Sequence, residues 1–231
     1  MGRGTTITLK VGSRASSRLD FEVNHLWNGG WAGRDQSAVR RHIEEMEQLG
    51  VPAPSTTPIF FPLASTLATT ADHVEVLGGD TSGEVEYALL VDARRVLVTV
   101  ASDHTDRGLE RYGIQASKQL YPNVLAPEAW PLEECRAHWD QLVLRCWTTA
   151  SVQRKLYQEA PLAELLDADA WLDLLARHGV PRQGLVFLSG TPASLGGVVF
   201  GDLYEIELED PVLGRAIRHR YAVEVLGPGH Q

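Results

Sequence analysis

Cysteine is nearly absent from this chain, which has only Cys135 and Cys146 among its 231 residues. Two cysteines cannot build a disulfide framework, and they are too few for a metal site made of thiolates. Positive charge is also in deficit, with 21 Lys and Arg against 30 Asp and Glu, which gives a formal net charge of −9. This balance argues against nucleic acid as a partner, because phosphates require a basic surface.

Long hydrophobic runs are lacking as well. No stretch approaches the roughly 18 consecutive apolar residues of a membrane span, and residues 1–13 lack the apolar segment of a secretory signal. We therefore expect a cytoplasmic protein that binds neither nucleic acid nor membranes. The 44% hydrophobic content can fill one large core. Since no linker divides the chain, we predict a single domain over 1–231, with N-terminal strands and a helix in 1–72 and the core in 73–231.

Turn residues are abundant instead, with 21 Gly and 12 Pro spread along the sequence. Alternating polarity predicts strands at residues 5–11 and 18–23. Three apolar runs within residues 74–101 predict a β-meander, and three more strands are predicted between residues 184 and 226. These patterns favour a strand-rich fold.

Helices are predicted at three places. Apolar residues recur at helical spacing in residues 35–52, before the stop signals Gly50 and Pro52. Pro131 predicts the start of a helix over 131–147, because proline is tolerated at the first helical position. One or two further helices are predicted within 161–181. Together with the strands, they predict the α+β class.

Two carboxylates, Glu84 and Glu86, are one residue apart on a predicted strand, which places them on the same face. Asp103 follows the next predicted strand, in residues 102–110, which we expect to be a loop that displays reactive side chains. Separately, the glutamates could be a solvated edge, and Asp103 could be a turn or a helix cap. If the three converge, they require a cation or a strongly raised pKa. Ligands that are all oxygens favour Mg²⁺, Mn²⁺ or Ca²⁺ over zinc.

Other polar positions have ordinary alternatives. The Gly-Thr-Pro turn in residues 187–197 ends a predicted strand, and its small residues would let a ligand approach the backbone. His104 is expected to be a loop histidine. His42 and Glu45, three residues apart on one helix face, would most often be a solvated surface pair.

In order along the chain, these motifs resemble those of the fumarylacetoacetate hydrolase superfamily. The resemblance rests on Glu-x-Glu at residues 84–86, Asp-x-x-x-Arg from Asp103 to Arg107, then Lys118, and the Gly-Thr-Pro that contains Thr191. Within the superfamily, the segments "SDHTDR", "SKQLYP" and "HWD" resemble a bacterial branch known as DUF2848. The resemblance covers roughly residues 80–225.

The resemblance implies a strand-rich mixed β-roll with flanking helices, usually a homodimer. It implies Mg²⁺ or Mn²⁺ bound by Glu84, Glu86 and Asp103, and a small carboxylated keto or enol substrate. Further site roles follow from the motif positions: catalytic for His42, Glu45 and Lys118, and substrate-binding for Arg107, Glu110 and Thr191.

The N-terminal part departs from the family pattern. Strict register from Arg34 would put the family's His and Glu on Val39 and His42, whereas a shift of one helical turn gives His42 and Glu45. The lysine expected after Phe61 is replaced by Pro62, and Glu110 stands where the family has Gln. The helix of residues 35–49 would act as a lid that carries the His–Glu dyad to the metal.

The function implied is a divalent-metal-dependent hydrolase or lyase that cleaves a C–C bond in an acylpyruvate-like acid through a metal-stabilised enolate. A decarboxylase, isomerase or hydratase of the same superfamily is the alternative. A relative that binds metal or ligand without catalysis, or a protein whose carboxylates are merely solvated, also remains open.

Overall fold

The computed structural model describes residues 4–12, 17–48, 53–54 and 56–227, and for His42 and Met46 only the backbone. Strands predominate among the elements of the described chain, with four α-helices and brief 3₁₀ turns between them. The strands, in chain order β1 to β15, are Thr5–Val11, Ser17–Val23, His25–Gly30, Ile59–Leu63, Ala68–Thr69, His73–Val76, Thr81–Val91, Val96–Asp106, Asn123–Leu125, Glu128–Pro131, Val143–Ala150, Gln153–Pro161, Leu185–Leu188, Leu203–Asp210 and Arg215–Val225. The α-helices α1 to α4 are Gln36–Gln48, Arg107–Glu110, Ile114–Gln119 and Ala168–Arg177.

Two mixed sheets form the frame. The larger sheet has the order β2-β1-β10-β8-β7-β13-β3-β4, with β9 beside β8 and β5 beside β9. The smaller sheet has the order β12-β11-β14-β15-β6. Parallel and antiparallel pairs occur in both sheets. The predicted strand-rich α+β fold with flanking helices is therefore confirmed.

The antiparallel hairpin of β7 and β8 lies at the centre of the large sheet, and its register pairs Glu84 with Asp103. Both strands are buried on their two faces, which explains their long apolar runs. On one face, side chains such as Val85 and Tyr87 belong to a core that also contains residues of the small sheet. On the other face, side chains such as Ala88 and Ala101 belong to a second core, within the large sheet.

The large sheet curls around this second core. Asn28 on β3 and Asn123 on β9 belong to strands that β8, β7 and β13 separate in the sheet. Their side chains nevertheless form a hydrogen bond of 2.8 Å. Strand twist and curvature of this kind bring side chains from distant strands together on the concave face.

Several sequence-based predictions are confirmed. The strands β1 and β2, the three C-terminal strands and helix α4 are where the patterns placed them. Helix α1 begins after Asp35, whose Oδ1 accepts from the backbone N–H groups of Ser37 and Ala38 at 2.8 and 3.2 Å. The predicted continuation of this helix past Gln48 lies outside the described residues. Among the described helices, none is long and apolar enough to cross a membrane.

The helix predicted at residues 131–147 is wrong. Pro131 ends strand β10, two 3₁₀ turns follow, and Val143–Ala150 is strand β11 in the middle of the small sheet. Leu144 and Cys146 are buried while Arg145 between them is partly exposed, which is the period of a strand. Residues 143–150 therefore form a strand because they pair with two neighbouring strands, although their sequence also suits a helix.

The predicted meander is also partly wrong. Strand β6 pairs in parallel with β15 in the small sheet and not with β7. The loop expected at residues 102–110 is a strand as far as Asp106, since β8 continues to pair with β7 along its whole length. Asp103 thus lies within a buried strand and is neither a turn residue nor a helix cap.

Candidate active site

Three carboxylates converge on the concave face of the large sheet. Glu84 and Glu86 share one face of β7, and Asp103 is directly opposite Glu84 on β8. One oxygen from each lies within 4.8 Å of the other two. Glu86 and Asp103 are fully buried, and the Glu84 side chain is 15% exposed. The solvated-edge alternative for the glutamates is therefore wrong.

Two cations accompany the carboxylates. Lys118, on α3, has its side chain only 7% exposed, and its ammonium contacts Asp103 Oδ2 and Glu84 Oε2, the latter at 3.2 Å. Arg107, at the start of α2, pairs with the other Glu84 oxygen at 2.9 Å and with Glu110 Oε1 at 2.9 Å. Five side chains predicted from the sequence thus form one connected ion-pair network.

The environment of the site shifts several pKa values. Burial raises the pKa of Glu86 well above its usual range, and the charge of nearby Asp103 raises it further. Burial would also raise the pKa of Glu84, but Arg107 and Lys118 outweigh it and lower the value to about 2. Burial tends to lower the pKa of Lys118, but the surrounding carboxylates prevail and raise it.

A cation fits this arrangement. Among the described residues, Glu86 Oε1 and Asp103 Oδ1 are buried with no hydrogen-bond partner. Buried carboxylate oxygens are costly unless a donor or a positive charge satisfies them. An all-oxygen set of this kind, without histidine or cysteine, matches the preferences of Mg²⁺ and Mn²⁺.

The Gly-Thr-Pro turn closes the site on one side. The Gly190 N–H donates to Glu86 Oε2 at 2.6 Å. Gly190 has a φ of +88°, and an added Cβ would lie 2.9 Å from the Cβ of Ala32. Glycine is therefore required for this approach. Thr191 Oγ1 donates to the backbone carbonyl of Val85 at 3.0 Å, which fixes the turn against β7.

Gln158 on β12 is a site residue that the sequence did not reveal. Its Nε2 donates to Thr191 Oγ1 at 2.7 Å, and its Oε1 accepts from the Val85 N–H at 3.0 Å. This buried amide therefore joins the Gly-Thr-Pro turn to the strand that carries both glutamates. No local signal marks Gln158, because its role depends on pairing between distant segments.

His104 is not a loop histidine. It is fully buried on β8, on the face opposite to Asp103, with ring nitrogens 3.1 Å from the Tyr221 hydroxyl and 3.0 Å from Thr81 Oγ1. Burial, with a contribution from Arg107, lowers the pKa of His104 to about 3. A neutral histidine bonded on both sides is a structural part of the core and not an available base.

The predicted His–Glu dyad is not tested by the side chains that the structure describes. Glu45, on α1, is exposed, and the side chain of His42 lies outside the described residues. The lid role of α1 and the catalytic role of the dyad therefore stay predictions.

A family model described as "protein of unknown function (DUF2848)" matches residues 29–221. This chain belongs to the DUF2848 family. The family prediction made from the motifs is thus confirmed, and the match extends it to the N-terminal part. No protein of curated function matches the DUF2848 protein.

Solved structures share the fold of the DUF2848 protein at low identity. One, from Oleispira antarctica, is named as a fumarylacetoacetate isomerase/hydrolase (19% identity, TM-score 0.66, covering 93% of this chain and 98% of that one). Another is a fumarylacetoacetate hydrolase family protein from Yersinia pestis CO92 (19%, 0.60, 91% and 96%). A third is 2-keto-3-deoxy-D-arabinonate dehydratase complexed with magnesium and 2,5-dioxopentanoate (14%, 0.63, 90% and 76%). The fold is therefore that of the fumarylacetoacetate hydrolase superfamily, as the motifs predicted.

Proposed function

We propose that this DUF2848 protein is an enzyme that depends on Mg²⁺ or Mn²⁺ and cleaves a C–C bond in a small keto or enol carboxylic acid of the acylpyruvate type. The observation that carries the proposal is the pair of buried carboxylate oxygens, on Glu86 and Asp103, that have no partner among the described residues. The dehydratase of the same fold, complexed with magnesium and 2,5-dioxopentanoate, supports the same class of cofactor and substrate.

Glu84, Glu86 and Asp103 would hold the cation. Four carboxylates, these three and Glu110, lie beside only two cationic side chains, so the site retains negative charge for a divalent ion to neutralise. When bound, the ion would supply Lewis-acid chemistry, stabilising the enolate charge that develops as the bond breaks.

Lys118 and Arg107 would bind the substrate anion. Both lie beside the carboxylates with side chains at most 12% exposed, and both keep their positive charge at neutral pH. Lys118 would donate to the carboxylate or the developing oxyanion, and Arg107 would orient the other end of the acid. Thr191, held by Gln158, would place its hydroxyl at the edge of the substrate.

The general base is proposed to be His42 with Glu45, which closure of α1, the helix that carries the exposed Glu45, would deliver to the site. Glu110 is the candidate that needs no such movement. It contacts Arg107, and burial raises its pKa above that of an ordinary glutamate, which makes its carboxylate a stronger base. A loss of activity in Glu110→Gln, with full activity in Glu45→Gln, would assign the base to Glu110.

Decarboxylation is the second candidate. It needs the cation and Lys118 but no activated water, and Lys118 is already in contact with the carboxylates while Glu45 is exposed. If the protein is a hydrolase, substituting His42 by Ala should reduce its turnover rate by roughly 10²- to 10⁴-fold. If the protein is a decarboxylase, the same substitution should leave its turnover rate nearly unchanged.

The remaining parts of the proposal concern assembly. Residues 1–231 would act as one catalytic domain, and the protein would be a cytoplasmic homodimer, as the superfamily resemblance implies. Light scattering of the purified protein tests the dimer, independently of any activity.

The experiment for the proposed function is turnover of a substrate panel with and without added metal. Acylpyruvates, oxaloacetate and 2-oxo-enoates would be incubated with the chelated protein, and then with Mg²⁺ or Mn²⁺ restored. Metal-dependent cleavage of at least one compound is expected, and it should be lost in Asp103→Asn. If metal binds but no compound is converted, the protein is a non-catalytic metal-binding relative.

A further inference from the structure

A pair of buried asparagines shares the concave face with the three carboxylates. Asn28 and Asn123 are both fully buried, and Nδ2 of Asn28 donates to Oδ1 of Asn123 at 2.8 Å. The two strands that carry them are far apart in the sheet, so only its curvature makes this contact. Neither residue belongs to the motifs that indicated the metal site.

Each asparagine keeps one polar atom without a partner. Within the described part of the chain, Asn28 Oδ1 and Asn123 Nδ2 are buried and form no hydrogen bond. Turning both amides round would exchange their roles but would still leave one N–H donor and one carbonyl acceptor free. Buried polar groups of this kind are normally satisfied, so a ligand or a water molecule is expected beside them.

This free donor and acceptor adjoin the proposed metal site. Asn123 is directly opposite Asp103 in the antiparallel pairing of β9 with β8. Directly opposed side chains lie on the same face, with Cβ atoms about 4.5–5.5 Å apart. A molecule held by the cation would therefore have its adjacent atoms close to the asparagine pair.

We propose that Asn28 and Asn123 form a subsite for a hydroxyl group of the substrate, which makes the substrate class a hydroxylated 2-oxo acid. The inference rests on the proposed function, because the cation and Lys118 must hold the oxo-acid end. A hydroxyl both donates and accepts, so it satisfies the free carbonyl and the free N–H together. A carboxylate cannot use the carbonyl, an ammonium cannot use the N–H, and an apolar group leaves both unpaired.

The test is calorimetric binding of matched 2-oxo acids in the presence of Mg²⁺. Pyruvate is compared with 3-hydroxypyruvate, and 2-oxobutanoate with 4-hydroxy-2-oxobutanoate. The wild-type protein should bind at least one hydroxylated member more tightly than its partner, by roughly tenfold to a hundredfold. In Asn28→Leu and Asn123→Leu, which nearly conserve shape, that preference should fall to about onefold while binding of the plain acids persists.

A matched control is Thr99→Val. Thr99 is buried on the same face of β8, and its hydroxyl donates to the Glu128 carbonyl at 2.5 Å, not to the asparagines. This variant should lose stability yet keep the preference for the hydroxylated acid. If the leucine variants do not fold, Asn28→Ser and Asn123→Ser replace them, and the wild-type comparison needs no variant.

The possible outcomes distinguish a failure of the asparagine subsite from a failure of the proposed function. If plain and hydroxylated acids bind the wild type equally, or the preference survives in the variants, the subsite is wrong while the proposed function stands. If the variants weaken both acids equally, a water molecule occupies the position, which also overturns the substrate assignment. If no oxo acid binds in a metal-dependent way, the proposed function itself fails.

Discussion

Substituting Glu86 by Gln should act in opposite directions on the metal-free and the metal-bound protein. In the metal-free protein, the Glu86 and Asp103 oxygens are within 4.8 Å of one another. Two full charges at that separation repel by about 3 kcal/mol at an effective dielectric constant of about 20. Glutamine removes this repulsion, and its side-chain carbonyl can still accept from the Gly190 N–H.

The pH dependence follows from the raised pKa of Glu86. Because the folded state holds the proton more tightly than the unfolded chain, the wild type loses stability as pH rises from the unfolded pKa of about 4.3 through the folded value. Glu86→Gln lacks this loss. Its stability relative to the metal-free wild type should therefore be near zero at low pH and increase, by up to about 3 kcal/mol, at alkaline pH.

With metal the sign reverses. A divalent ion about 2.1 Å from a carboxylate oxygen is attracted by about 4 kcal/mol of Coulomb energy even at the dielectric constant of water. A neutral amide oxygen lacks most of this attraction. We expect Mg²⁺ to bind Glu86→Gln more weakly by on the order of 30- to 1000-fold.

Denaturant unfolding of the chelated proteins, with and without Mg²⁺ and at acid and alkaline pH, measures both effects in one series. Equal Mg²⁺ stabilisation of the variant and the wild type would refute the role of Glu86 as a ligand. A metal-free variant that is less stable than the wild type at alkaline pH would refute the argument from repulsion.

Three further predictions concern single residues around this frame. Lys118→Met leaves Asp103 without its buried partner and should lower the free energy of unfolding by about 3–5 kcal/mol in the metal-free protein. Added Mg²⁺ should restore most of this stability. An unchanged melting temperature in the presence of chelator would contradict the expectation. Gly190→Ala forces a Cβ against Ala32 at positive φ and should lower stability by about 1–3 kcal/mol; thermal unfolding checks it, and no loss would mean that the turn can relax. Burial raises the pKa of Asp210, but its hydrogen bonds prevail and lower it, so the ionised carboxylate stabilises the fold above the pKa of the unfolded chain, and this stability is lost as pH falls through the pKa of the folded state. Asp210→Asn should therefore be less stable than the wild type near neutral pH and equally stable in strong acid. A difference in unfolding free energy that does not change with pH would contradict this linkage.

The carboxylate site could be predicted because its information is local. Glu84 and Glu86 share a face by strand alternation alone, and the order of Asp103, Arg107 and Lys118 along the chain matches a known pattern. Helical periodicity likewise placed helix α1 correctly. In these cases the feature is defined by neighbouring residues or by the order of short motifs along the chain.

Features that depend on distant pairing could not be read in this way. Residues 143–150 carry Leu, Cys and Trp at spacings that suit a helix or a strand, and the two flanking strands decide between them. The loop reading of Asp103 failed because polar residues continue a strand that is buried between two cores. The role of Gln158 arises only because the small sheet, which contains β12, packs against β7, and the role of Asn28 only because the large sheet curls.

The most direct measurement is the anomalous scattering of Mn²⁺ in crystals grown with Mn²⁺ and oxalate. We expect one strong peak bound by oxygens of Glu84, Glu86 and Asp103 at roughly 2.0–2.4 Å, with oxalate on the open side of the ion and within reach of Lys118. A strong peak at other residues, or an absent peak with the Lys118 ammonium still seated between Asp103 and Glu84, would contradict the proposal of a metal-dependent enzyme.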